Sequence, residues 1–244
     1  GDPENMQFGD TLSEDKFSGM KFDFVISNPP FGIDWKREAA KVEAEAKLGN
    51  GGRFAPGLPP KSDGQMLFVL NGLAKLKEAG HMAIIQNGSS LFTGDAGSGS
   101  SEIRRYIIEN DWLDAIVQLP NDSFYNTGIA TYIWLITKDK PVSHREHVLL
   151  IDASECQESR RKNIGNKRVD ITQEARNLIV KAYGEYCDNT YETLTERGNK
   201  VKCRAKLLSS LELGYNKITV ERPLLDDNGK PIEKRGTVQV DLSK

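Results

Sequence analysis

The sequence predicts an α/β fold, with a mostly parallel sheet that ends in an antiparallel hairpin and a mainly helical carboxyl-terminal region behind it. Three observations lead there. Short apolar runs of strand length alternate with longer stretches of helical spacing. One run, Phe22-Asp23-Phe24-Val25-Ile26-Ser27, stops at Asn28-Pro29-Pro30, where two residues without a backbone N–H end any ladder. Two later runs, Leu113 to Leu119 and Ile129 to Thr137, are joined by a link too short for a crossover, so they pair antiparallel.

Taken in order, Met6-Gln7-Phe8 is expected as a short strand ending at Gly9-Asp10. The Phe22 run is expected as a buried strand. Lys36 to Leu48, rich in Ala, Glu and Lys, reads as an exposed helix, and the glycines and prolines of 49–60 as a mobile loop. Ser62 or Asp63 caps a helix from Gln65 to Glu78, whose apolar face is Leu67, Leu70, Leu73, Ala74 and Leu76, and Gly80 ends it. His81 to Gln86 is a strand, Thr93 to Ser100 a second mobile loop, and Ser101 opens a helix with Ile103, Ile107 and Ile108 inward. The hairpin follows, then the apolar strand Val148-Leu149-Leu150-Ile151. From here the character changes, so the division is expected at 1–152 and 153–244. Ser154 to Arg168 is polar and basic. Thr172 caps a helix from Gln173 to Tyr186, Lys206 to Leu213 is expected as another, and 225–244 as an exposed hairpin or tail.

A chain of 244 residues can bury one sizeable core, with an appendage. No apolar run reaches membrane-spanning length and no secretory signal opens the chain, so no membrane partner is expected. Cys156, Cys187 and Cys203 are odd in number and widely spaced, which suits free thiols in a reducing cytoplasm. His81, His144 and His147 have no ligand spacing, and no metal site is expected. The net charge of −2 lacks the basic excess of a protein that holds nucleic acid unaided. Any such role needs a local basic groove or a partner that supplies phosphate contacts.

Chemistry concentrates at the corner after Ile26. Each proline keeps the preceding residue extended, so Asn28 and Pro29 are stiff. The Asn28 side-chain oxygen and the Pro29 carbonyl both accept hydrogen bonds, and Phe31 offers an aromatic face. Two adjacent acceptors suit a flat –NH2 group, and the ring suits the base that carries it. Adenine fits. Its amine lone pair is delocalised, and two acceptors pulling on its hydrogens favour the pyramidal geometry needed for attack on a methyl donor. A base in a duplex reaches such a corner only when flipped out.

Asn28-Pro29-Pro30-Phe31 resembles the Asn-Pro-Pro-Tyr/Phe motif of amino-group methyltransferases that use S-adenosylmethionine. Gly9-Asp10-Thr11-Leu12, then Gly80 to Ile85, then Ile116 to Pro120 and Phe124 to Gly128 resemble, in that order, the modification subunit of type I restriction–modification systems. That family methylates adenine at N6 in DNA. The likeness runs to about Leu150, with patches beyond it such as 214–224.

The resemblance implies a Rossmann-like methyltransferase sheet and a set of roles. Asn28, Pro29, Pro30 and Phe31 are catalytic, Asp10 and Asn28 lie by the cofactor, and Phe31 and Phe124 wall the base pocket. Two plainer readings stay open: Asp10 as a turn cap and Phe124 as a core-capping ring. The implied partners are DNA, a specificity subunit that reads it, and a restriction subunit, and the resemblance makes 153–244, with its basic run Ser154 to Arg168, a contact for DNA or a partner subunit, where the plainer reading is a solvated loop. The family's glycine-rich cofactor loop has no counterpart before Asp10, so the chain is expected to be the carboxyl part of a longer protein, with an incomplete S-adenosylmethionine site and no activity alone. Its sheet is then expected to have a gap beside the Phe22 strand, filled by the amino-terminal segment or by a second copy. The same corner serves an RNA base or a protein glutamine, but the long loop after Phe31, the Phe in place of Tyr and the family-like segments downstream argue for DNA; a non-catalytic assembly module is the remaining alternative.

Overall fold

In a computed structural model, described for residues 3–215, 220, 222–234 and 237–240, seven strands form one sheet. The strands are β1 (Phe22–Ser27), β2 (Leu76–Asn87), β3 (Leu113–Gln118), β4 (Thr131–Thr137), β5 (His147–Glu155), and the later β8 (Asn189–Leu194) and β9 (Lys200–Ser209). Between β5 and β8 come β6 (Glu158–Ile164) and β7 (Lys167–Asp170), a separate hairpin. The sheet order is β1-β2-β4-β3-β5-β9-β8, with β4 and β9 running against the others. Helices are α1 (Ala39–Ala46), α2 (Gln65–Lys75), α3 (Ser89–Phe92), α4 (Gly99–Glu109) and α5 (Gln173–Glu185).

Two cores flank the sheet. On one face α2 and α4 pack Leu67, Leu70, Ile103 and Ile107 against Ile84, Trp134 and Val148. On the other, α5 packs Ala175, Leu178 and Ala182 against Ala115, Leu149 and Val201. The expected α/β class, the Asn-Pro-Pro stop of β1 and the antiparallel β3–β4 pair are all present.

Several details differ. The hairpin does not end the sheet: β4 inserts between β2 and β3, which leaves β3 an open apolar edge that β5 fills in parallel. The boundary expected after Asp152 falls inside β5, and the chain divides after Gly214. The carboxyl region is not mainly helical. Lys206 to Leu213 continues β9 and ends in a 3-10 turn, because Val201, Cys203 and Ala205 alternate inward at strand period. Helix α2 stops at Lys75 and Gly80 lies within β2, where Phe22 pairs with Leu76 but Phe24 with His81; the extra β2 residues form a bulge. Met6 to Phe8 is no strand, and Phe8 is 100% exposed.

Strand β1 is an edge, not a buried strand: Phe24 is 72% and Ile26 86% exposed. The amino-terminal segment does not fill the space beside it. Instead it docks beside α2, with Asp15 on Lys75 and the Thr11 and Leu12 carbonyls on Arg53. The unit after Gly214 contains a two-stranded ribbon, β10 (Glu233–Lys234) with β11 (Thr237–Val238), and a turn at Asp226–Gly229. Part of the 214–224 likeness lies outside the described residues. No described helix is long and apolar enough to cross a membrane.

Candidate functional site

The corner forms because β1 must stop. After Ser27 the two prolines deny β2 further donors, and the chain turns out at Gly32, whose φ is +63°. It is then caught: Gly64 N–H donates to the Ile33 carbonyl at 3.0 Å, and Trp35 donates from its backbone to Lys61 and from its indole to Pro60, each at 3.0 Å. Within this frame Pro29 is buried, Phe31 half-buried, and Asn28 and Pro30 exposed. Among the described residues neither the Asn28 side chain nor the Pro29 carbonyl has a hydrogen-bond partner. Two unpaired acceptors and a ring therefore follow one another at the carboxyl end of an edge strand.

The neighbouring strand β2 ends in a polar staple. Gln65 at the start of α2 donates from Nε2 to Asp63, to Asn87 at the end of β2 and to Ser89, at 2.8, 2.9 and 2.5 Å. It fixes β2 against α2. Deeper on the same strand Gln86 is 0% exposed with neither amide atom bonded, and the Trp134 indole N–H on β4 is likewise unbonded. Unsatisfied polar groups are unusual in a core and cluster at this end of the sheet.

The loop at 49–60, expected as mobile, is anchored. Arg53, on that loop, is half-buried: it bonds both Glu45 carboxylate oxygens at 2.7 Å, Asn71 at 2.8 Å and the carbonyls of Thr11 and Leu12. Burial works against the Glu45 charge, but these bonds outweigh it and hold its carboxyl below the ordinary range. Lys61 is exposed and pairs with Glu43 at 2.7 Å.

The link between β3 and β4 lies at the same sheet end, two to three strand spacings from β1, or roughly 10 to 14 Å. Phe124 sits partly buried against the core under α5, the capping arrangement. Its neighbour Tyr125 is the aromatic presented to solvent, at 68% exposure. Sequence reasoning passed over it, although the alternation of Phe124 and Tyr125 could have signalled that only one faces inward. Asp10 sits apart from the corner's frame in a turn: its carboxylate accepts from Leu12 N–H at 3.0 Å and Ser13 N–H at 2.7 Å.

The described residues fit an amine acceptor better than a methyl-donor cradle. Asp10 is committed to its own turn, on a segment that does not join the sheet.

A family model described as N-6 DNA Methylase matches residues 2–207. The type I restriction enzyme MjaIX methylase subunit of Methanocaldococcus jannaschii is 32% identical over 182 residues, covering 73% of this chain and 31% of that protein. The MpnII methylase subunit of Mycoplasma pneumoniae is 30% identical, covering 54% of this chain and 23% of that one. The chain thus spans less than a third of these relatives' length. Among solved structures, a type I restriction-modification methyltransferase subunit from Streptococcus thermophilus superposes with TM-score 0.64 at 27% identity, covering 84% of this chain and 38% of that one. The type I restriction enzyme EcoKI M protein shares the fold, with TM-score 0.55 at 22% identity over 82% of this chain and 42% of that one.

Proposed function

The chain belongs to the N-6 DNA methylase family, and from that membership we infer that it carries the target-base corner of a DNA adenine N6-methyltransferase, as part of a type I modification subunit. The observation that carries this reading is the exposed, unpartnered Asn28 amide beside the Pro29 carbonyl and the half-buried Phe31.

S-adenosylmethionine supplies the methyl group in this reading. This chain's own residues act on the acceptor. Asn28 and Pro29 accept the two amine hydrogens, and Phe31 stacks on the flipped base. As the amine becomes pyramidal its N–H bonds grow more polar, so both hydrogen bonds strengthen toward the transition state. The proton of the product amine passes to water, and no side chain has to act as a strong base. Phe124 supports the β3–β4 link from inside, and Tyr125 supplies the outward ring. The donor site is incomplete within these residues, so the isolated chain is expected to be inactive. DNA, a specificity subunit and a restriction subunit are the partners, in the cytoplasm.

The test is Asn28→Ala in the intact protein. Because the side chain has no internal partner, thermal stability is expected to stay unchanged. Methyl transfer should fall by roughly 10²-fold or more, the scale for losing one pre-positioned hydrogen-bonding group, while S-adenosylmethionine binding by calorimetry persists. Equal loss of transfer and of cofactor binding would overturn the assignment.

A further inference from the structure

The β6–β7 hairpin is a basic element in an acidic chain. It carries Arg160, Arg161, Lys162, Lys167 and Arg168. Two of these cations are spent internally: Arg160 reaches both Asp170 oxygens at 2.5 Å, and Lys167 reaches Asp170 at 3.2 Å. Burial raises the Asp170 pKa, but these two cations outweigh it and hold the carboxyl below its ordinary range, charged at neutral pH. Arg161, Lys162 and Arg168 are exposed and have no ion-pair partner among the described residues.

The hairpin is also fixed in place. Asn166 N–H donates to the Tyr125 carbonyl at 2.9 Å, and Arg168 and Val169 N–H donate to the Asp122 carbonyl at 3.0 and 3.4 Å. Both acceptors lie in the β3–β4 link, at the sheet end that holds the Asn28 corner. Gly165 turns the hairpin tip at φ +56°, the position a type II′ turn reserves for glycine. It lies so close that an added Cβ would stand 2.4 Å from the Tyr125 carbonyl oxygen. Three free cations are thereby tied by backbone bonds to the link that carries the exposed Tyr125.

We propose that the β6–β7 hairpin is a nucleic-acid backbone clamp, in which Arg161, Lys162 and Arg168 take phosphates of the strand that runs past Tyr125 toward the Asn28 corner. This rests on the methyltransferase reading for its substrate and adds where that substrate is gripped. A chain with net charge −2 has little long-range attraction for a polyanion, so binding depends on such a local cluster. Backbone contacts of this kind set position and carry no sequence information, which suits a subunit that leaves sequence reading to another.

The test uses the present chain and a fluorescein-labelled DNA duplex, with anisotropy followed as salt is raised. Arg161→Ala/Lys162→Ala/Arg168→Ala is compared with the parent and with an equally charged control, Arg37→Ala/Lys41→Ala/Lys47→Ala on and beside α1. All six side chains are exposed and without ion pairs among the described residues, so the folds should match by circular dichroism. The hairpin variant should lose affinity by at least 10-fold, and its log K against log salt slope should flatten by about 0.9 per cation lost. The control should match the parent. A parent that binds no duplex at low salt, or a hairpin variant that matches the parent, overturns the clamp. So does a variant that keeps DNA binding but loses a purified specificity subunit, which makes the hairpin a protein-docking surface. The Asn28→Ala assay, read separately, decides the methyltransferase reading in each case.

Discussion

Arg53 shows how one side chain can hold together segments far apart in sequence. Its guanidinium joins α1 through Glu45, α2 through Asn71, and the amino-terminal segment through two carbonyls, while stacking over Phe54 at 4.6 Å. Arg53→Ala is expected to cost about 3 kcal/mol in urea unfolding, since it strands a half-buried carboxylate and orphans an amide. The Glu45 carboxyl is held below its ordinary value in the fold, so its contribution is present above the unfolded pKa and is lost as pH falls through the folded one. Stability should therefore decline below about pH 4.3, the ordinary glutamate value. Glu45→Gln should show a shallower decline, by urea midpoints measured between neutral pH and pH 3. An equal slope in both proteins would show that Glu45 is not the group responsible. In sequence Arg53 lies in a glycine-rich loop and reads as a solvated charge. Nothing local reveals that Glu45, Asn71 and residues 11–12 converge on it. Asn28 was legible for the opposite reason: the prolines beside it fix its backbone by covalent geometry alone.

At the scale of elements, local chemistry was legible where a residue type forces a conformation. Thr172 caps α5 through Ala175 N–H at 3.3 Å, and β3 and β4 pair as their short link requires. It failed where pairing decides. Lys206 to Leu213 is expected as a helix, yet β5 pairs with Lys206 to Ser209 and carries β9 on as a strand. The bulge in β2 was hidden likewise, because it depends on the register with β1. The β6–β7 turn gives a sharp test. Gly165→Ala needs a positive φ and pushes a methyl into the Tyr125 carbonyl. About 1–3 kcal/mol of strain is expected, released by undocking the hairpin. Amide exchange at Asn166 and Arg168 should accelerate while α2 and α4 stay protected; unchanged protection at both amides would mean that the turn adapts in place.

At the scale of the molecule, the sheet is finished on one side and open on the other. Helix α5 covers the face under β3, β5 and β9, but at the β1 end of that face Phe24 and Ile26 stay exposed, with the Phe24 ring stacked on His81 at 6.0 Å. Among the described residues no strand pairs with the outer edge of β1. Its one charge, Asp23, is engaged by Lys77 at 2.9 Å, so repulsion does little to guard the edge. An apolar edge of this kind recruits another strand. The chain is therefore expected to self-associate through β1, because antiparallel pairing of two copies satisfies both rows of backbone groups and covers both apolar pairs. Sedimentation velocity should show a rising dimer fraction with concentration. Ile26→Lys places a charge where the side chain is already 86% exposed, so it should abolish the dimer and leave the melting temperature of the monomer almost unchanged. If the parent stays monomeric at every concentration, or the lysine variant dimerises as well as the parent, the β1 edge is not the contact. A lysine variant that unfolds early would instead show that Ile26 serves the fold itself.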